Sequence, residues 1–175
     1  QHLTYGTYSW TNPKVADIQV KNKYEKRPVD IDLKKLTVNG SEVSGAGFDL
    51  SRLKTDGTVD TTFGTNGTKH LTVDNSSIEN EMKGLYAGVY KLEETKAPQG
   101  CSLLTTPIYF KISYEIVPNT GTVKLIVQLC DKDGNPATNA YAEIDGSPQM
   151  PVTGTVTTDI TPSPTITLKI SNEVL

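Results

Sequence analysis

The sequence predicts an all-β fold, a sandwich of short strands, on three observations. Apolar and polar residues alternate with a period of two in run after run, as an extended chain with one buried face requires. Threonine and valine are plentiful within the runs, and glycine and proline punctuate them, which favours strands joined by turns. No long segment carries a helical period. Only Glu79–Gly84 has the pattern of a short helical turn.

The elements follow in order. Val29, Ile31, Leu33 and Lys35 share one face of a first strand, with Asp30, Asp32 and Lys34 on the other. Asn39-Gly40 marks a turn. Gly45–Leu50 then leads into a second strand whose small residues allow another backbone to come close. Thr55–Lys69, rich in Gly, Asp, Asn and Thr, reads as a hairpin or loop excursion. His70–Val73, Leu85–Glu94, Ile108–Ile116 and Val123–Leu129 are further strands, and Ile166, Leu168, Ile170 and Asn172 line one side of the last. Asp145–Pro164 carries four prolines, so it is expected to be loop with at most an edge strand. Ile18–Asn22 echoes Leu168–Asn172, an apolar alternation ending in asparagine, and such echoes mark tandem modules. Residues 1–24 accordingly read as the end of a preceding module or an N-terminal linker, and 25–175 as one sandwich with an elongated region after Glu94. The other reading starts a second module near Asp131–Ile144.

Composition sets bounds on function. A chain of 175 residues holds one good core or two small ones. With 17 basic and 20 acidic residues and a net charge of −3, it lacks the electrostatic footprint that recruits nucleic acid or an anionic membrane. No apolar run reaches membrane-span length, and no charged start with an apolar stretch reads as a leader, so the chain is expected to be a mature or excised piece. Cys101 and Cys130 are too few for a disulfide-built scaffold and unsuitably spaced for zinc, leaving a single bridge between them as a candidate. Asp131–Pro136 begins like a calcium loop, but its glycine comes too early, and a hairpin turn is the expectation. His2 and His70 lie far apart without a nucleophile motif, so a hydrolytic triad has no support. No metal or cofactor is expected.

The most informative stretch is Tyr90–Gly100, Y-K-L-E-E-T-K-A-P-Q-G. Strand parity puts Glu94 on the face of Tyr90 and Leu92, so an otherwise apolar face ends in a carboxyl. An unpartnered buried carboxylate costs several kcal/mol or takes up a proton. Glu94 therefore asks for polar company inside the core, and Lys35 and Asn172, each ending an apolar alternating face, are the candidates. Burial favours a neutral lysine amine, which is a nucleophile. Beside a carboxamide it can attack the carbonyl carbon, while a protonated Glu94 hydrogen-bonds the carbonyl oxygen and passes a proton to the leaving ammonia. The product is an intramolecular isopeptide bond. Nothing turns over, so this is self-modification and not enzyme catalysis on a substrate. The simpler alternatives are a solvated Lys34–Lys35 pair, an exposed Glu94 paired with Lys91 or Lys96, and an Asn172 in a chain-end turn, with Asn22 as a rival acceptor.

The motifs Val29–Lys35, Gly45–Leu50, Tyr90–Gly100 and Ile170-Ser171-Asn172 together resemble a CnaB-type domain, the prealbumin-like β-sandwich of Gram-positive pilins and surface adhesins. Tyr90–Gly100 is similar to that family's E-box. The resemblance implies that Lys35 is the bond-forming lysine, Glu94 the catalytic acid and Asn172 the acceptor. It also implies a structural or adhesive role, as a pilin subunit or adhesin stalk, with neighbouring modules or pilin subunits as partners. The location it implies is extracellular, with cell-wall anchoring through a sorting signal outside this fragment; Met150–Gly154 resembles such a signal, but no apolar stretch follows it. Lys14, after Pro13, faintly resembles a pilin lysine that joins subunits. Two departures stand out: Cys101 occupies a position usually aromatic in the family, and Tyr114–Pro164 is longer than a minimal module needs. A Cys101–Cys130 disulfide would compensate by fastening the elongated region to the Glu94 strand. The alternative function is a binding domain for a host matrix protein or glycan, with Thr55–Lys69 and Asp145–Pro164 as the recognition loops.

Overall fold

The computed structural model describes residues 28–74, 82–120, 122–146, 155–159 and 165–175. Among them the regular structure is entirely strand: β1 (Val29–Thr37), β2 (Ala46–Leu53), β3 (Thr68–Val73), β4 (Met82–Leu85), β5 (Gly88–Lys96), β6 (Ile108–Ile116), β7 (Val123–Cys130), β8 (Ala142–Gly146), β9 (Thr155–Asp159) and β10 (Thr165–Asn172). They form a four-stranded sheet in the order β4-β1-β10-β8 and a six-stranded sheet in the order β3-β2-β5-β6-β7-β9.

Alternation writes the core. On β1 the inward set is Val29, Ile31, Leu33 and Lys35, and on β10 it is Ile166, Leu168, Ile170 and Asn172. From the other sheet come Ala46, Phe48 and Leu50 of β2, Tyr90 and Leu92 of β5, Ile108, Phe110 and Ile112 of β6 and Leu125, Val127 and Leu129 of β7, all in one hydrophobic cluster with the apolar members of the first set. Its aromatic centre is Tyr90, stacked on Phe110 with ring centroids 5.2 Å apart and meeting the edge of Phe63 at 5.7 Å. The Tyr90 hydroxyl, sunk with its ring, finds an acceptor in the Tyr86 carbonyl at 2.7 Å, as a buried phenol must.

The first and last strands lie side by side. β1 pairs in parallel with β10, with Lys35 opposite Ile170 and Thr37 opposite Asn172. A parallel pair needs a long crossover, and here the crossover carries the whole six-stranded sheet. The Asn39-Gly40 turn is present: Gly40 has φ of +80°, and its N–H donates to the Thr37 carbonyl at 2.9 Å. The Thr55 excursion between β2 and β3 is fixed by Asp60, which accepts from Arg52 Nε at 3.0 Å and from the Thr62 N–H at 3.0 Å.

Two expectations change. The segment expected to form a helical turn at Glu79–Gly84 is strand β4 from Met82 onward; residues 79–81 lie outside the described residues. Met82 and Leu85 are both buried at a helix-like spacing of three, but the cause is a β-bulge. Val29 pairs with Leu85 and Ile31 with Met82, so β4 carries one extra residue. Gly84 absorbs it at φ +70°, its N–H donating to Asp30 Oδ1 at 2.9 Å. Ala142–Gly146 is also a strand, and it pairs antiparallel with β10 in the sheet that contains β1. It therefore joins the sheet that holds β1 and β10. Thr155–Asp159 is the edge strand that the proline-rich segment allowed.

Phe48 is 1 % exposed and pairs with Glu94 across β2 and β5. Phe48→Ala is expected to destabilise the fold by about 3–4 kcal/mol through lost burial and a residual cavity, read as a lower midpoint in a denaturant titration.

Candidate functional site

Lys35, Glu94 and Asn172 come together at one end of the core. Glu94 and Asn172 are the last buried inward residues of their strands and Lys35 the last but one of β1, and all three are buried, with Lys35 at 0 % and Asn172 at 1 % exposure. Lys35 Nζ stands 4.0 Å from Glu94 Oε1 and donates to the backbone carbonyls of Ile170 at 3.1 Å and Leu36 at 3.2 Å. Glu94 Oε2 accepts from Asn172 Nδ2 at 2.7 Å and from the Leu104 N–H at 2.7 Å. Asn172 Nδ2 gives its other hydrogen to the Ser102 carbonyl at 2.8 Å.

The carboxyl thus faces both prospective reactants, the amine through one oxygen and the carboxamide nitrogen through the other. Two buried atoms, Glu94 Oε1 and Asn172 Oδ1, have no hydrogen-bond partner among the described residues. Unsatisfied buried polar atoms are costly. In one detail the geometry differs from expectation: Glu94 contacts the amide nitrogen of Asn172, not its carbonyl oxygen. Burial lowers the Lys35 amine from the usual 10.5 to about 8, with the charges of Glu94 and Cys101 opposing the fall. At pH 7 roughly one such amine in ten is neutral, against fewer than one in a thousand in water.

The simpler pairings are not formed. Lys91 bonds Glu93 at 2.8 Å and Lys34 bonds Glu42 at 3.1 Å, both on the outer side of their strands. Cys101 and Cys130 are buried free thiols, so the candidate disulfide is absent. Parity explains this. On β7 the inward position is Leu129, which turns Cys130 to the outer face beside Pro136, whereas Cys101 pairs with Val174 next to the site. Burial pushes the Cys130 thiol up to about 11, which makes it a poor nucleophile. The Asp131 turn holds itself together, its carboxylate accepting from the N–H groups of Asp133 and Asn135 at 2.9 Å each. Lys14, Asn22 and Met150–Gly154 lie outside the described residues. Strand parity could not find the backbone groups of Ser102 and Leu104, because they belong to an irregular segment.

The lowered Lys35 has a consequence for stability. In Asn172→Ala, which cannot form a bond, the folded amine loses its proton near pH 8 while the unfolded one keeps it to about 10.5. Between these values the unfolded chain binds more protons, so stability rises with pH. Below pH 8 both states are charged and the burial penalty is present in full. Denaturant titrations from pH 7 to 10 should show this rise in Asn172→Ala and lose it in Lys35→Met/Asn172→Ala.

Among solved structures, the chain is similar to the C-terminal fragment of the pilus adhesin SpaC from Lactobacillus rhamnosus GG, at 18 % identity and a TM-score of 0.43, over 86 % of this chain and 52 % of that one. It is also similar to SpaC of the same organism in its open conformation, at 17 % identity and a TM-score of 0.42, over 83 % of this chain and 16 % of that one. The chain therefore spans about half the length of the first of these. No curated protein sequence matches it. The family model of the SpaA prealbumin-like fold domain matches residues 29–125, a stretch that contains Lys35 and Glu94 and ends before Asn172. That match takes in more than half of the sequence, and the chain belongs to the SpaA prealbumin-like domain family.

Proposed function

We propose that this chain is a structural module of a Gram-positive cell-surface protein, a pilin subunit or the stalk of an adhesin, braced by a self-formed isopeptide bond between Lys35 and Asn172. The observation that carries the reading is the burial of an amine, a carboxyl and a carboxamide at one point of an apolar core. As a resting arrangement it leaves two polar atoms unsatisfied; as reactants the same groups are complementary. The neutral Lys35 amine attacks Asn172 Cγ, the new Nζ–Cγ bond forms and the Cγ–Nδ2 bond breaks. Glu94 takes a proton from the amine and delivers one to the departing nitrogen, which leaves as ammonia. The product carries a neutral amide where Lys35 had an ionisable amine.

The mechanical consequence follows from topology. A bond between β1 and β10 joins the first and last strands of the sandwich, so tension applied to the ends bypasses the hydrogen-bonded sheets. By the chain-entropy account of cross-links, closing so long a loop stabilises by roughly 5 kcal/mol. In this reading residues 25–175 are the module, residues 1–24 belong to a preceding one or a linker, and the partners are adjacent modules or pilin subunits outside the cell. The chemistry is a single self-modification without cofactor or turnover.

A second reading, a surface that binds a host matrix protein or glycan, is favoured by one feature. A hollow of about 450 Å³ beside the start of the Thr55 excursion is lined by Lys54 and Lys111, by Lys132 paired with Asp133 at 2.8 Å, and by Asp56, Leu53 and Val89. Glycans on an array would bind the parent and not Lys54→Glu/Lys111→Glu if this reading holds; equal signals from the two chains would dismiss it.

Intact mass tests the brace directly. The purified chain should be lighter than its sequence by one ammonia, and Glu94→Ala, Lys35→Ala and Asn172→Ala should each have full mass. Lys35→Ala should stay β-rich but melt at lower temperature and be cut faster by protease. Full mass in the parent chain would end the proposal.

A further inference from the structure

The groups that orient the reactants include two from the backbone. The Leu104 N–H donates to Glu94 Oε2, and the Ser102 carbonyl accepts from Asn172 Nδ2. The segment that carries them is itself fastened to the residues after β10. Ser102 donates to the Glu173 carbonyl at 2.9 Å, Leu175 donates to the Gly100 carbonyl at 2.9 Å, and Cys101 bridges Val174 in antiparallel fashion. A small cavity of about 110 Å³ lies against this segment, lined by Ser102, Leu104, Thr105, Tyr141 and Asn172 among others. It has room for a few small molecules the size of water, and Leu103, Thr105 and Thr106 on its rim are exposed.

We propose that Ser102–Thr106 is a positioning element for the reaction at Asn172, and that the cavity it lines is the outlet for ammonia. This rests on the Lys35–Asn172 bond proposed above. Both hydrogens of Asn172 Nδ2 are engaged, one by Glu94 and one by the Ser102 carbonyl, so the carboxamide cannot rotate about its Cβ–Cγ bond without losing both contacts. The Leu104 N–H in turn holds the Glu94 oxygen that meets the leaving nitrogen. When Cγ–Nδ2 breaks, that nitrogen keeps its two hydrogens, gains a third by way of Glu94, and departs beside the cavity. Water entering by the same route is the competing nucleophile: it would convert the carboxamide to a carboxylic acid, giving aspartate at position 172 and the same ammonia. Firm positioning therefore governs product as well as rate.

Single-atom backbone changes test this. An ester oxygen in place of the Leu104 N–H deletes the donor to Glu94, and an ester at Leu103 weakens the Ser102 carbonyl as an acceptor. An ester at Thr106 lies outside both contacts and serves as the control. The full chains are made by cell-free synthesis and followed by timed intact mass and peptide mapping. The Leu103 and Leu104 esters should cross-link at least tenfold more slowly than the parent and accumulate aspartate at position 172, while the Thr106 ester behaves as the parent. A merely structural role would leave the ratio of cross-linked to hydrolysed product unchanged. Thr105→Trp, on the exposed rim, should slow ammonia loss without diverting product to aspartate, and it keeps the test open if an ester chain loses its strands by circular dichroism. If the parent loses ammonia while the ester chains match it in rate and product, or Thr105→Trp reacts at the parent rate, this proposal is overturned and the bond stands. A parent that keeps its full mass overturns both.

Discussion

The parallel pairing of β1 with β10 is the constraint on which the rest of the molecule depends. It joins residues at opposite ends of the described chain, and its register sets Lys35 opposite Ile170, one inward position before Asn172. A shift by one residue would turn Lys35 and the whole apolar set of β1 to the other face. The register is thus held by Ile31 and Leu33 lying opposite Ile166 and Leu168, and the same apolar contacts that build the core aim the polar groups. The opposing sheet completes the arrangement, because the Phe48–Glu94 pairing places the carboxyl at the same end.

Burial then does two things to the polar trio. It raises the cost of every unsatisfied atom, which keeps the three side chains close, and it lowers the Lys35 amine toward neutrality. Both effects come from the apolar side chains packed around the trio, the opening beside Asn172 lying along the Ser102–Thr106 segment. A buried charged lysine is a liability for a resting protein, and the bond proposed above would remove that charge. The family match covers residues 29–125 and so takes in the amine and the carboxyl, while the carboxamide comes from β10, after the elongated region.

That elongation extends both sheets. β8 covers the free edge of β10, and β9 covers that of β7. It leaves β10 as an interior strand, flanked on both sides, which protects the hydrogen bonds around Asn172 from fraying. The cysteines play no part in fastening this region, since Cys130 turns outward under its own hairpin while Cys101 stays with the chain that follows β10.

The sequence by itself determined the all-β class, most strand positions and the inward parity of Lys35, Glu94 and Asn172, because side-chain direction in a strand is a local property with a period of two. It also excluded a cysteine-built or zinc-built scaffold, because both depend on residue counts and spacing. Tertiary structure alone decided what those inward residues meet. Strand parity does not tell which strands become neighbours, so the β1–β10 pairing, the engagement of Glu94 with the amide nitrogen and the separation of the two cysteines emerge only when the sheets assemble. The Met82–Leu85 bulge was hidden because its spacing of buried residues imitates a helix and its cause is the register of β1. Ser102 and Leu104 were hidden for a different reason: they act through backbone groups that every residue possesses, so only their position in space sets them apart.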